Sequence, residues 1–129
     1  VLPPGHPLAA GERVALGDLA KDAWIGQSAG NPCHDVTVLA CEYAGFTLNP
    51  EHSSDDFRAV VALAAASAGV ALVPRSALRG MELTGVEVRP IEGVAPTRRV
   101  FAAVRRGAED HPLISPVLTA LGVASESGA

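Results

Sequence analysis

Residues 55–74, DDFRAVVALAAASAGVALVP, constrain the fold more than any other stretch of the chain. Phe57, Val60, Val61 and Ala64 fall at i, i+3, i+4 and i+7, the spacing of one apolar helix face. The polar run Ser53-Ser54-Asp55-Asp56 supplies the start. Gly69 is the expected stop, since glycine takes left-handed backbone just past a helix end. Val70-Ala71-Leu72-Val73 has no polar break, which suits a short strand buried on both faces. Pro74 cannot donate to a ladder and ends it. Helix, glycine, buried strand and proline make half of a βαβ unit, so a strand is expected before it, at residues 51–53.

The rest of the chain continues the alternation. Residues 1–11 carry Pro3, Pro4 and Pro7 and read as an extended connector. Leu16-Gly17-Asp18-Leu19 is a turn before a brief strand, Trp24-Ile25-Gly26. Gln27, Ser28, Ala29, Gly30 and Asn31 form the loop after it. Asn31 at the N-cap and Pro32 at the first helical position start a second helix. Val36, Leu39, Ala40 and Tyr43 are its expected inner face, and Gly45 its stop. A helical turn is expected at 75–78, a loop at 80–85 and a connector at 92–97. Period-two strands are expected at 86–91 and 99–104, the latter with Val100, Ala102 and Val104 on one face and Phe101 on the other. The last helix starts at His111-Pro112 or at Ser115-Pro116. Leu113, Val117, Leu118 and Leu121 form its apolar face, and residues 125–129 read as frayed. Strands alternating with helices imply an α/β fold with a mostly parallel sheet and helices on both sides. Such a sheet binds ligands beyond the carboxyl ends of its strands.

At 129 residues the chain is long enough to hold a core of its own. Only 4% of residues are aromatic, so that core must be built from Val, Leu and Ala. The formal net charge of −4 argues against a nucleic-acid grip, which needs a basic face. No apolar run is long enough for a membrane span. The chain carries no signal peptide and starts at Val1 rather than Met, so it reads as a fragment or processed product. Cys33 and Cys41 fall on one expected helix, about 12 Å apart at its rise per residue, beyond disulfide reach. Two free thiols fit a reducing compartment.

Two loops meet the requirement for a ligand site: Gln27, Ser28, Ala29, Gly30 and Asn31, and then Ser53, Ser54 and Asp55. Each runs into a helix N-terminus, where free N–H groups and the helix dipole favour an anion. The functional reading is a cleft for a small acidic metabolite. The plain reading makes Ser54, Asp55 and Asn31 simple N-caps. It is preferred for Asp55, whose carboxylate would repel an anion, while Ser28 and Ser53 stay open between the two. His34 and Cys33 are adjacent and point about 100° apart on a helix, so no metal site is expected there. His6 and His111 read as structural, and His52 as a strand residue that could face the cleft. No nucleophile elbow, zinc-protease, P-loop or dinucleotide motif occurs, and no cofactor is expected. Asp55-Asp56 reads as a solvated helix start rather than an acid–base pair. Arg98, Arg99, Arg105 and Arg106 read first as solvated strand ends, and second as a contact to another subunit or to DNA phosphates.

Three segments, in order along nearly the whole chain, resemble one family. They are Gly5-His6-Pro7-Leu8-Ala9, Cys41-Glu42-Tyr43-Ala44-Gly45-Phe46, and AAASAGVALVPRSAL after the Ser-Asp-Asp start. They are similar to the effector-binding domain of LysR-type transcriptional regulators. The resemblance implies a type 2 periplasmic-binding-protein fold, two α/β subdomains joined by two crossover strands with a small effector between them. It makes residues 1–11 the first crossover connector, and residues 12–91 the second subdomain together with the second crossover strand at 86–91. Residues 92–129 become a remnant of the first subdomain. The rest of that subdomain and the helix-turn-helix would be absent, so DNA would be reached only through the missing N-terminal domain. The chain would then be a cytoplasmic sensing module that does no chemistry, works as a homodimer or homotetramer, and carries its effector contacts on the two loops. A solute receptor feeding a transporter, with the same fold, is the alternative.

Overall fold

The computed structural model describes residues 1–126, with side chains described through residue 122. The chain divides into two compact units, Val1–Arg98 and a second that begins at Arg99.

In the first unit, strand β1 (Ile25–Gly26) pairs in parallel with β2 (His52–Ser53), Ile25 opposite His52 and Gly26 opposite Ser53. Helix α1 (Pro32–Tyr43) connects them, and helix α2 (Phe57–Ala65) follows β2. On the other side of β1, Trp24 bridges Val70 in parallel. Ala71 and Val1 exchange both backbone hydrogen bonds, at 3.0 and 2.8 Å. Leu2 and Glu87 do the same at 2.8 and 2.9 Å. Mutual exchange of this kind is the antiparallel pattern. The sheet therefore runs β2, β1, residues 70–71, residues 1–2, residue 87, with only residues 1–2 reversed. The segment 86–91, expected as one strand, is held at two separate points, Glu87 on Leu2 and Ile91 on Val14. The connector expected to be extended throughout also contains a 3-10 turn, Pro7–Ala10, capped by His6.

Neighbours along a strand face opposite ways, and the core divides accordingly. Trp24 and Val70 pack with Leu16, Leu19 and Cys41 on the α1 side. Ile25 and Ala71 pack with Val60 and Ala64 on the α2 side. This gives helix, sheet, helix, the layering the alternation implied. Trp24 anchors it, with Nε1 donating to the Leu19 carbonyl at 3.0 Å and its ring 5.8 Å from that of Phe46.

Three further expectations need correction. Helix α2 does not run on to Gly69. It ends at Ala65, and Ser67 takes the left-handed position at φ 61°. The Ser67 and Ala68 N–H groups close back on the Ala64 and Leu63 carbonyls, a complete Schellman cap two residues early. Gly69 is required for a different reason. A Cβ there would lie 2.5 Å from the Ala23 carbonyl oxygen, where the strand is laid against β1. In α1 the buried residues are Cys33, Thr37 and Cys41, not the stripe expected to face inward.

The third correction lies in the second unit. Residues 99–104 form no strand, and Val100 and Phe101 are 82% and 83% exposed. The alternation is present, but a strand needs a ladder partner, and none is supplied within this unit among the described residues. Helix α3 (Ser115–Glu126) begins at Ser115, the second of its two candidate starts. Of the tail expected to fray, α3 continues to Glu126 and residues 127–129 lie outside the described residues. No helix among the described residues is long and apolar enough to cross a membrane.

Candidate functional site at the ends of the two strands

The parallel pairing of β1 with β2 brings the two candidate loops side by side. Ser54 N–H donates to the Gly26 carbonyl at 3.0 Å, carrying the ladder one step past the strands. The two loops are then joined by a side chain. One Asp55 carboxylate oxygen accepts from the Ser28 N–H and from the Asn31 side-chain amide, each at 3.0 Å. Asp55 is not the cap of its own helix. That role belongs to Asp56, which accepts from Arg58 N–H at 2.8 Å. Ser54 Oγ in turn accepts from the Asp56 N–H at 3.2 Å. The polar run Ser53-Ser54-Asp55-Asp56 offers a cap at each of its positions, which is why Ser54 and Asp55 were expected in that role. The discriminating signal is the last position of the run, since Phe57 opens the apolar period and the residue before it is a carboxylate.

Asn31 caps α1 as expected, its Oδ1 accepting from Cys33 N–H at 2.9 Å. Its other end holds Asp55, so the positive start of α1 already faces a carboxylate supplied by the chain. The Ser28 N–H and then the Asn31 amide lower the Asp55 pKa below the ordinary 3.8. Ser28, Ala29 and Gly30 are exposed, and so are His52 and Ser53. The His34 Nδ1–H donates to the Gln27 carbonyl at 2.9 Å, which fixes the loop to the first turn of α1.

Gln27 differs from its neighbours. It is 3% exposed, and neither Oε1 nor Nε2 of its buried amide has a hydrogen-bond partner. A buried amide without partners is costly, and native structures keep few of them. The other polar contacts have structural uses. His6 receives the Leu8 N–H and donates to Asp22 at 3.1 Å. Cys33 and Cys41 are free buried thiols on α1, and burial pushes Cys41 up to about 11. Among the described residues no three His, Cys, Asp or Glu side chains gather as a metal set. The arrangement offers hydrogen bonds and a closed rim between two strand ends, and no paired acid and base.

The sequence model of the family described as LysR substrate binding domain matches residues 1–124. The HTH-type transcriptional regulator MetR of Escherichia coli K12 is 30% identical over 113 residues, 88% of this chain and 35% of that protein. The transcriptional dual regulator GltC of Bacillus subtilis 168 is 32% identical over 76 residues, 59% of this chain and 25% of that protein. The chain thus spans about a third or less of the curated relatives it matches. Among solved structures, HinK, a LysR family transcriptional regulator from Pseudomonas aeruginosa, superposes with a TM-score of 0.58 at 29% identity, covering 73% of this chain and 33% of that one. The C-terminal domain of a Rhodococcus protein assigned to the LysR family has a TM-score of 0.58 at 24% identity, covering 74% and 48%. It shares the fold. With the match running from the first residue through most of α3, this chain belongs to the LysR substrate binding domain family.

Proposed function

We propose that the chain is the effector-sensing part of a LysR-type transcriptional regulator, binding a small molecule to alter DNA contact made elsewhere in the full protein. The family match over residues 1–124 carries this reading. The effector site is assigned to Gln27, Ser28, Ala29, Gly30, Asn31, Ser53, Ser54 and Asp55. The unpartnered Gln27 amide supports it, because an incoming hydrogen-bonding molecule would relieve that cost. Ligand binding would act by favouring one of two pre-existing arrangements. The module performs no catalysis and works in the cytoplasm as a homo-oligomer.

The test compares the complete gene product with residues 1–129 alone in a DNA retardation assay. The complete protein is expected to retard its own promoter region and to change its footprint when a metabolite panel is added. The isolated chain is expected to leave DNA unretarded. Retardation by the isolated chain, or a complete protein without any DNA affinity, would overturn the reading.

A further inference from the structure

The loops at the strand ends were the expected place for an anion, yet their best donors are already held by Asp55. A different part of the first unit gathers cationic side chains with few partners in the protein. A cavity of about 640 Å³ lies against α1, the segment after residue 71 and the segment 88–98. Its volume is within the usual range for a small-molecule site. Its walls include Val14, Leu19, Val36, Leu72 and Leu78. Four arginines line it, Arg13, Arg75, Arg89 and Arg98, and no carboxylate does.

The four are not equivalent. Arg89 is fully engaged, pairing with Glu87 at 3.1 Å and donating to the Ala9, Gly11 and Val88 carbonyls. It ties the second crossover segment to the first connector. Arg13 reaches only the Ile91 carbonyl, at 3.5 Å, and Arg98 only the Cys33 sulfur, at 3.1 Å. Arg75 makes no hydrogen bond or ion pair among the described residues. Arg13, Arg75 and Arg98, all exposed, thus line one hollow whose lining holds no carboxylate, in a chain whose acidic residues outnumber its basic ones by 14 to 10. A second cavity, of about 730 Å³, lies along the outer side of α1, and its only charged lining residue is Glu92. The positive lining is therefore a property of one cavity and not of the surface in general.

We propose that this arginine-lined cavity is a second ligand site, taking an amphipathic anion: a carboxylate held by Arg75, with Arg13 and Arg98 beside it, and an apolar body against Val14, Leu72 and Leu78. Arginine suits a carboxylate because its planar fork can donate two parallel hydrogen bonds. The apolar walls give the ligand's body a place out of water. The inference goes beyond the effector-sensing reading and does not depend on it, since it rests on the cavity alone.

The test is an NMR titration of the 129-residue chain with sodium octanoate, octylammonium chloride and sodium acetate. Octanoate is expected to bind saturably and shift the methyl signals of Val14, Leu72 and Leu78. Octylammonium at equal concentration should leave them unmoved, and acetate should bind far more weakly than octanoate. Arg75→Gln is expected to weaken octanoate binding about tenfold, the size of one charged hydrogen-bonding partner. Arg75 is exposed and unpaired, so this variant keeps its fold, and an unchanged backbone spectrum verifies that. Arg98→Gln supplies an independent variant with the same expected direction. The proposal fails if octanoate does not bind, or if octylammonium binds as well. It also fails if both variants bind like the parent, or if the shifts centre on Ser28, Asn31 and Asp55. The last outcome would instead return the anion to the strand-end loops.

Discussion

Helices α1 and α2 lie on opposite faces of one sheet and end in the same hydrogen-bond pattern, yet they bury different kinds of residue. Helix α2 turns its apolar stripe inward, with Val60, Val61 and Ala64 buried and Phe57 packed beside them. Helix α1 turns inward Cys33, Thr37 and Cys41, spaced i, i+4 and i+8. Of its expected apolar stripe, Ala40 packs against the core, while Leu39 and Tyr43 are left 53% and 91% exposed. The difference follows from what the sheet presents. Below α1 stand Trp24 and Phe46, which fill the layer and leave room only for small side chains. Below α2 stand Ile25 and Ala71, which leave space that valines fill. A close-packed interior sums to a fixed volume, so a large residue on one layer selects a small one on the next. The buried Thr37 hydroxyl is satisfied within its own helix, donating to the Cys33 carbonyl at 2.8 Å.

The same substitution on the two helices should break the comparison most widely. Val60→Glu places a charge in a fully buried site and is expected to cost more than about 4 kcal/mol, enough to unfold a marginal domain. Leu39→Glu keeps a good helix former on an exposed site and should stay within about 0.5 kcal/mol. Urea midpoints decide it. A large loss from Leu39→Glu would mean that the outer stripe of α1 is covered, and light scattering would then show whether a second copy covers it.

The exits of the two helices differ more subtly. Both close with Schellman bonds, at Gly45 for α1 and at Ser67 for α2. Gly45 has φ 91° and open space where a Cβ would sit, so Gly45→Ala should cost about 1–2 kcal/mol from backbone strain alone. Gly69→Ala adds a backbone clash, at 2.5 Å from the Ala23 oxygen, and should cost clearly more. Equal losses in thermal melts would show that the strand beside β1 can shift to make room.

These two glycines also mark what could be read from sequence. The apolar period of α2, the Asn31-Pro32 start and the brief strands at Trp24 and Glu51 were legible because each depends on neighbours within a turn or two. The inner face of α1 was not, because it depends on Trp24, which meets α1 only through the sheet, and on Phe46 folding back past the Gly45 stop. The strand expected at 99–104 failed for a related reason. Alternation records that a segment suits a sheet but does not provide the sheet. At the strand ends, each loop was legible as the segment between a strand and a helix, and the structure sets the two side by side across β1 and β2. The bridging by Asp55 was missed, since it follows from parallel register, Gly26 opposite Ser53, and not from either loop by itself.

The buried sulfur of α1 gives a smaller, pH-dependent test. Burial raises the Cys41 thiol from 9.0 to about 11. The unfolded thiol ionises first, so the folded state binds the proton more tightly between those values. The stability tied to this group is fully present below pH 9 and is lost as pH rises toward 11, on the order of 2 kcal/mol in all. Comparing the pH slopes of the parent chain and Cys41→Ala isolates it. A parent slope no steeper than the variant's would mean that the thiol reaches water. In the native state Cys41 should resist a water-soluble maleimide on the timescale that labels an unfolded control.

The smallest expected effect concerns the one side chain that links the two helix starts. Asp55 precedes α2, yet its carboxylate serves α1, accepting from Ser28 and from the Asn31 cap. Its pKa is depressed in the folded state, so the unfolded chain takes up the proton first as pH falls. The contribution is therefore present above the ordinary carboxylate value of 3.8 and is lost as pH drops through the lower folded value. The group is exposed, and solvent screens it, so the change in overall stability should be slight. The local change should not be. In Asp55→Asn the Ser28 amide signal should lose its downfield position and exchange faster with water, while the Arg58 amide, held by Asp56, stays protected. If both amides change together, the two helix starts are coupled through the β1–β2 ladder and not through this carboxylate, and the difference between the helices would begin in the sheet.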